Sequence, residues 1–158
     1  MRFILVNALL SILTVFVFAQ DLKAQDTKNS TAAKQNNLNV YTGVLELNLD
    51  YERNIIVSSQ SLSKLRLGFG YGSFYVAGEG YYINGAFVHL FGARDSHLEL
   101  SAGVKYMLTN SISNPAFSDQ LLPDVFIGYR FEKPTGGFTF RAGLNYPTII
   151  NVGIGYKF

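Results

Sequence analysis

Residues 45–52 read Leu-Glu-Leu-Asn-Leu-Asp-Tyr-Glu, an unbroken alternation of apolar and polar side chains. Successive side chains of an extended strand point to opposite faces. A period of two therefore sets Leu45, Leu47, Leu49 and Tyr51 against Glu46, Asn48, Asp50 and Glu52. The same texture recurs down the chain. Leu65, Leu67, Phe69 and Tyr71 alternate with Lys64, Arg66, Gly68 and Gly70, and Leu98 to Leu108 alternate with Glu99, Ser101, Gly103, Lys105 and Met107. Val125, Ile127, Tyr129 and Phe131 alternate with Asp124, Phe126, Gly128 and Arg130. Phe138 to Leu144 alternate with Thr139, Arg141, Gly143 and Asn145, and Ile150 to Phe158 alternate with Asn151, Gly153, Gly155 and Lys157. A short first strand over residues 37–42 and an ambiguous segment from Tyr82 to Phe91, apolar on both faces, bring the count to eight.

Composition agrees with an all-β chain. Charged residues make up 15%, against about 25% in a typical soluble domain. Aromatics reach 15%, all Phe and Tyr, and there are 15 glycines, a mixture that suits many strands better than helices. A net charge of +2 argues for no nucleic-acid surface and no polybasic membrane patch. The absence of cysteine excludes disulfides, thiolate metal sites and a lipoprotein anchor. At 158 residues the chain has room for one domain.

Ahead of the strands, Arg2 and the apolar run from Phe3 to Ala19 have the form of a signal peptide. Small residues offer two cleavage sites, after Ala19 and after Ala24. The second is preferred because it leaves a polar start, which divides the chain into a signal peptide (1–24), a flexible polar leader (25–36) and a barrel (37–158). A retained anchor helix would need roughly 20 uninterrupted apolar residues, and Asn7 breaks a run that is already shorter.

Alternation alone does not say which face is inside. A small soluble barrel turns its apolar face inward, whereas an outer-membrane barrel reverses this. The polar set here mixes glycines with charges of both signs, which fits the cramped interior of eight strands. On a solvent-facing sheet so many glycines would weaken the strands without compensation. The expected fold is an all-β, eight-stranded, antiparallel up-and-down transmembrane β-barrel, and the expected location is the outer membrane. Compact breaks at residues 92–96 and 132–136 read as periplasmic turns, and longer stretches around 72–80 and 109–123 as external loops.

Several of these segments also carry a resemblance. Asp50-Tyr51-Glu52-Arg53, residues 65–71, His97 to Gly103, Ile127 to Phe131, Gly137 to Gly143 and Gly153 to Phe158 resemble small outer-membrane barrel proteins of the Bacteroidota, with an OmpA/OmpX-like eight-stranded architecture. The resemblance spans nearly all of the chain after Asn37. It implies an architecture and transfers no activity to named residues. The last strand, with Val152, Ile154, Tyr156 and Phe158 in phase, resembles the C-terminal signal read by the barrel-assembly machinery during biogenesis.

Candidate chemistry centres on the polar face. Glu46, Asp50, Glu52, Glu99 and Asp124 are expected to meet Arg66, Lys105, Arg130, Arg141 and Lys157 in the lumen as a structural network, because buried charges persist only when paired. His89 and His97 are two potential ligands without a third, so no metal site is expected. His97, Glu99 and Ser101 are close in sequence but fall on different parts of a strand, so no catalytic site is assigned. Phe74, Tyr75, Tyr81, Tyr82 and Tyr146 are expected at one rim and Phe91, Phe131, Phe138 and Phe158 at the other, with Phe74 and Tyr75 as an alternative adhesive tip. The reading is a monomeric, cofactor-free, non-enzymatic barrel in outer-membrane lipid, with a structural or surface-interaction role and a filled polar lumen. A narrow route for a small solute is the alternative, and a lipid-modifying enzyme comes third.

Overall fold

The computed structural model describes residues 36–58, 61–74, 78–92, 94–108 and 121–158. They form eight strands: β1 (Asn36–Gly43), β2 (Glu46–Val57), β3 (Ser61–Phe74), β4 (Gly78–Phe91), β5 (Ser96–Met107), β6 (Leu121–Glu132), β7 (Gly137–Tyr146) and β8 (Ile149–Lys157). Every strand pairs antiparallel with its neighbours in sequence, and β1 pairs with β8, so the sheet closes without a free edge. The expected signal peptide and residues 25–35 of the expected leader lie outside the described residues. Asn36, assigned to the leader, opens β1 instead, where its backbone exchanges two hydrogen bonds of 2.8 Å with Phe158.

Alternation maps onto the wall with the apolar side outward. Leu67, at 57% exposure, projects from the barrel, while Glu52 one ladder step away is fully buried. Outward residues of all eight strands form a continuous apolar surface, and the buried set is dominated by Glu, Asp, Lys, Arg and Asn. The ambiguous β4 is resolved by its ladder. Asn84 lies opposite Lys105, and Tyr82, Ala86, Val88 and Leu90 share its inward phase and are buried.

The expected contrast between short turns and long loops is corrected. At the end of the barrel that holds Asn36 and Phe158, here the terminal end, the connections are residues 58–60, 92–95 and 133–136. At the far end three of the four are as short or shorter in sequence: Val44–Leu45, residues 75–77 and Pro147–Thr148. Only residues 108–120 make a long connection. The glycines of 72–80 do not form a loop, because β3 and β4 run on to Phe74 and from Gly78.

The expected rim position of Phe74 and Tyr82 is likewise corrected. Both rings point into the lumen, where they pack edge to face at 5.5 Å in a buried cluster with Met107 and Leu122 near the far end. An adhesive tip built on Phe74 is thereby excluded, and Tyr75 lies outside the described residues. Tyr81 does face outward, stacked on Phe69 and edge-on to Tyr71.

Candidate functional site

Among the described residues the lumen gathers six buried acids (Glu46, Asp50, Glu52, Glu99, Asp124 and Glu132) and six buried bases (Lys64, Arg66, Lys105, Arg130, Arg141 and Lys157). These twelve balance in charge when all are ionised. β2 supplies three of the acids because its polar phase is uninterrupted from Glu46 to Glu52. β3, β5, β6 and β7 bring the facing cations, and β8 adds Lys157.

At mid-height the groups interlock. Arg66 donates to Glu52 through Nε at 2.8 Å and to Glu99 through Nη2 at 2.7 Å. Arg130 donates to both oxygens of Glu52, at 3.1 and 2.7 Å, and to Glu99 at 3.3 Å. Arg141 donates to Glu99 at 3.1 Å. Arg130 and Arg141 are direct partners across β6 and β7, a like-charge pairing that destabilises a sheet unless neutralised. Glu99 is the carboxylate they share. Tyr41 closes the cluster, donating to Glu52 at 2.9 Å while the Arg66 and Arg141 guanidiniums lie over its ring at 5.1 and 4.1 Å. Arg141 is also 3.7 Å from the Phe126 ring centroid.

Two smaller groups sit towards the ends. At the terminal end Glu132 contacts Lys64, Lys157 at 2.9 Å and Arg130 at 2.8 Å, and Asn37 bridges Lys64 and Glu132. At the far end Glu46 accepts from Lys105 at 2.6 Å, Tyr82 at 3.0 Å, Thr148 at 2.9 Å and Asn151 at 3.0 Å. Asp124 lies 3.3 Å from Lys105 and accepts from Asn145 at 2.9 Å.

Glycines make room for these side chains. Gly128 and Gly143 are ladder partners, and a Cβ on either would stand under 3 Å from the other strand's backbone and from the Phe126 ring. Gly153 lies beneath Tyr41 in the same way. Aromatic rings thus cover backbone that carries no side chain of its own. The void beside Tyr41, Arg130 and Arg141 has no space for a water molecule.

All ten charged residues expected in the lumen are there. The two that were missed are Lys64 and Glu132. Lys64 is in phase with Arg66, and Glu132 with Arg130, so the signal was present. Glu132 was masked by its place beside Lys133-Pro134, which reads as a turn. Val152, Ile154, Tyr156 and Phe158 all face outward. His89 and His97 lie on opposite faces of the wall, His89 outward on β4 and His97 on the inward phase of β5. Glu99 is held by three arginines, and Ser101 Oγ has no hydrogen-bond partner among the described residues. On the outer side, Ser63 and His89 face each other across β3 and β4 and share a hydrogen bond of 2.9 Å, flanked by Phe87 and Phe91. No acidic side chain joins that pair among the hydrogen bonds of the described residues. The ambiguous register of β4 hid it from a sequence reading.

No protein-family model and no curated protein sequence matches the chain. Its structure is similar to the N-terminal β-barrel domain of OprF from Pseudomonas aeruginosa, with a TM-score of 0.52 and 14% sequence identity over 78% of this chain and 96% of that one. The fold is an outer-membrane-type barrel. At that identity the likeness concerns fold alone. The described residues have an apolar exterior and an ionic interior, the reverse of the faces of a small soluble barrel.

Proposed function

We propose that this chain is an outer-membrane β-barrel of the small Bacteroidota kind, monomeric in the lipid, with a structural or surface-interaction role and a closed lumen. The observation that carries the reading is the inversion of its faces, with an apolar exterior around twelve buried charges. Such a surface in water would expose far more contiguous apolar area than a soluble monomer carries. The buried cluster of Phe74, Tyr82, Met107 and Leu122 near the far end favours closure over transport. Eight strands also enclose a space that side chains fill, unlike the wider porins. Delivery through a signal peptide and recognition of the last strand by the barrel-assembly machinery belong to the same reading.

Fractionation of cells tests location, and planar-bilayer recording of the purified protein tests closure. The expected outcome is an outer-membrane protein with heat-modifiable mobility and no resolved conductance. A folded, detergent-free periplasmic protein would overturn the first part. Stable, well-resolved current steps would put the small-solute route ahead of the second.

A further inference from the structure

The barrel wall is uneven. β3 and β4 are 14 residues long, whereas β1 has 8 and β8 has 9. A tilted strand needs about 9–11 residues to cross the hydrocarbon, so β1 and β8 have little or nothing to spare. On β2 the outward Tyr51 and exposed Arg53 lie towards the terminal end, with exposed Ile55 and Val57 beyond them. Counting about 9–11 residues from Arg53 reaches the Val44–Leu45 turn itself. On β8 the same count from Tyr156 reaches the Pro147–Thr148 turn.

Side chains at these two tips match that position. Val44 and Ile149 are 66% and 70% exposed, and Leu45, Leu47, Leu144 and Ile150 are also exposed. They continue the apolar exterior to its edge. Elsewhere a polar margin exists. Glu79 stands on the outward phase beyond Tyr81 on β4, and Arg94, Asp95, Lys133 and Thr135 occupy terminal-end turns. Backbone at the low tips is also provided for. The Leu45 carbonyl accepts from Ser73 N–H at 2.8 Å, Ile150 N–H donates to the Thr148 carbonyl at 2.9 Å, and Thr148 Oγ1 turns inward to Glu46. Hydrocarbon requires such internal pairing, because no water is present to satisfy peptide groups.

We infer that the β1–β2 and β7–β8 hairpin tips are submerged lipid contacts, with Val44, Leu45, Ile149 and Ile150 packed against acyl chains. The low side would draw the bilayer surface down to it while the β3–β4 side stands clear. This rests on the membrane reading above. The occupant is lipid rather than a protein partner because the tips are continuous with the apolar exterior and share its chemistry.

The chain has no tryptophan, so one introduced residue reports alone when excited beyond the tyrosine band. Leu45→Trp, Ile149→Trp, the mid-wall control Ile127→Trp and the polar-turn control Thr135→Trp would be made in the full chain. Each is purified from membranes and reconstituted into phosphatidylcholine vesicles with brominated acyl chains, and heat-modifiable mobility certifies folding. Val44→Trp and Ile150→Trp replace either tip probe that does not fold. The expected result is loss of most tip emission in brominated vesicles, as at Ile127→Trp, with little loss at Thr135→Trp. Tips quenched by aqueous acrylamide instead would overturn the inference, and so would tips reached by neither quencher, which would mean cover by protein. Failure of Ile127→Trp to be quenched would overturn the membrane reading itself, a separate outcome.

Discussion

The middle of the lumen and its ends solve the same electrostatic problem with different cations. Arg66, Arg130 and Arg141 occupy the middle, while Lys105 serves the far end and Lys64 and Lys157 the terminal end. Guanidinium is planar, offers several donors in a fixed fork and stacks on rings, so three of them can share two carboxylates and still cover Tyr41 and Phe126. A lysine is a single charge on a flexible stem, better suited to positions where amides and hydroxyls supply the remaining bonds. Glu46 shows this, taking only one of its four side-chain hydrogen bonds from a cation. The comparison teaches that mid-lumen charges depend on one another, whereas the far-end charges are buffered by neutral donors.

The sharpest way to break this contrast is to remove a central member. Arg130→Met or Glu99→Leu should each lower stability by about 3–5 kcal/mol, the cost of leaving buried partners uncompensated. Unfolding in urea, followed by heat-modifiable mobility in lipid vesicles, measures it. A shift no larger than that of an end substitution would show that the middle is not interdependent. Lys105→Met should cost less, about 1–3 kcal/mol, because Tyr82, Thr148 and Asn151 still donate to Glu46 and Asn145 still donates to Asp124. The same titration checks it, and equal losses at Lys105 and Arg130 would erase the distinction. Smallest in equilibrium terms is Phe158→Ser on the outer face, expected to move stability by less than about 1 kcal/mol. Its effect should fall on assembly, as slower appearance of the folded form in pulse-labelled cells. An unchanged rate would remove the assembly role from Phe158.

Phase was legible wherever one face was polar. Glu46, Asp50, Arg66, Glu99 and Arg141 could be assigned inward because a period of two leaves one choice once a face is declared buried. β4 could not be assigned, since its inward Tyr82, Val88 and Leu90 are as apolar as its outward Ile83 and Phe87. Its register is imposed by neighbours, with Asn84 set between Gly68 and Lys105. Phe74 was misplaced for a related reason. Glycine around it reads as loop, but Gly70 and Gly72 extend β3 and lie under the Tyr82 and Phe74 rings. Which cation meets which anion was not legible at all, because Arg130 reaches Glu52 across the barrel and 78 residues away in sequence.

The seam between β1 and β8 turns inward Asn37, Asn39 and Tyr41 from one strand and Asn151, Gly153, Gly155 and Lys157 from the other. Eleven of the twelve lumenal charges therefore belong to strands β2 to β7, and closing the seam adds Lys157 alone. The one join that makes the sheet a ring is thus held by amide and backbone hydrogen bonds, and Lys157 is the single charge that its two strands turn inward.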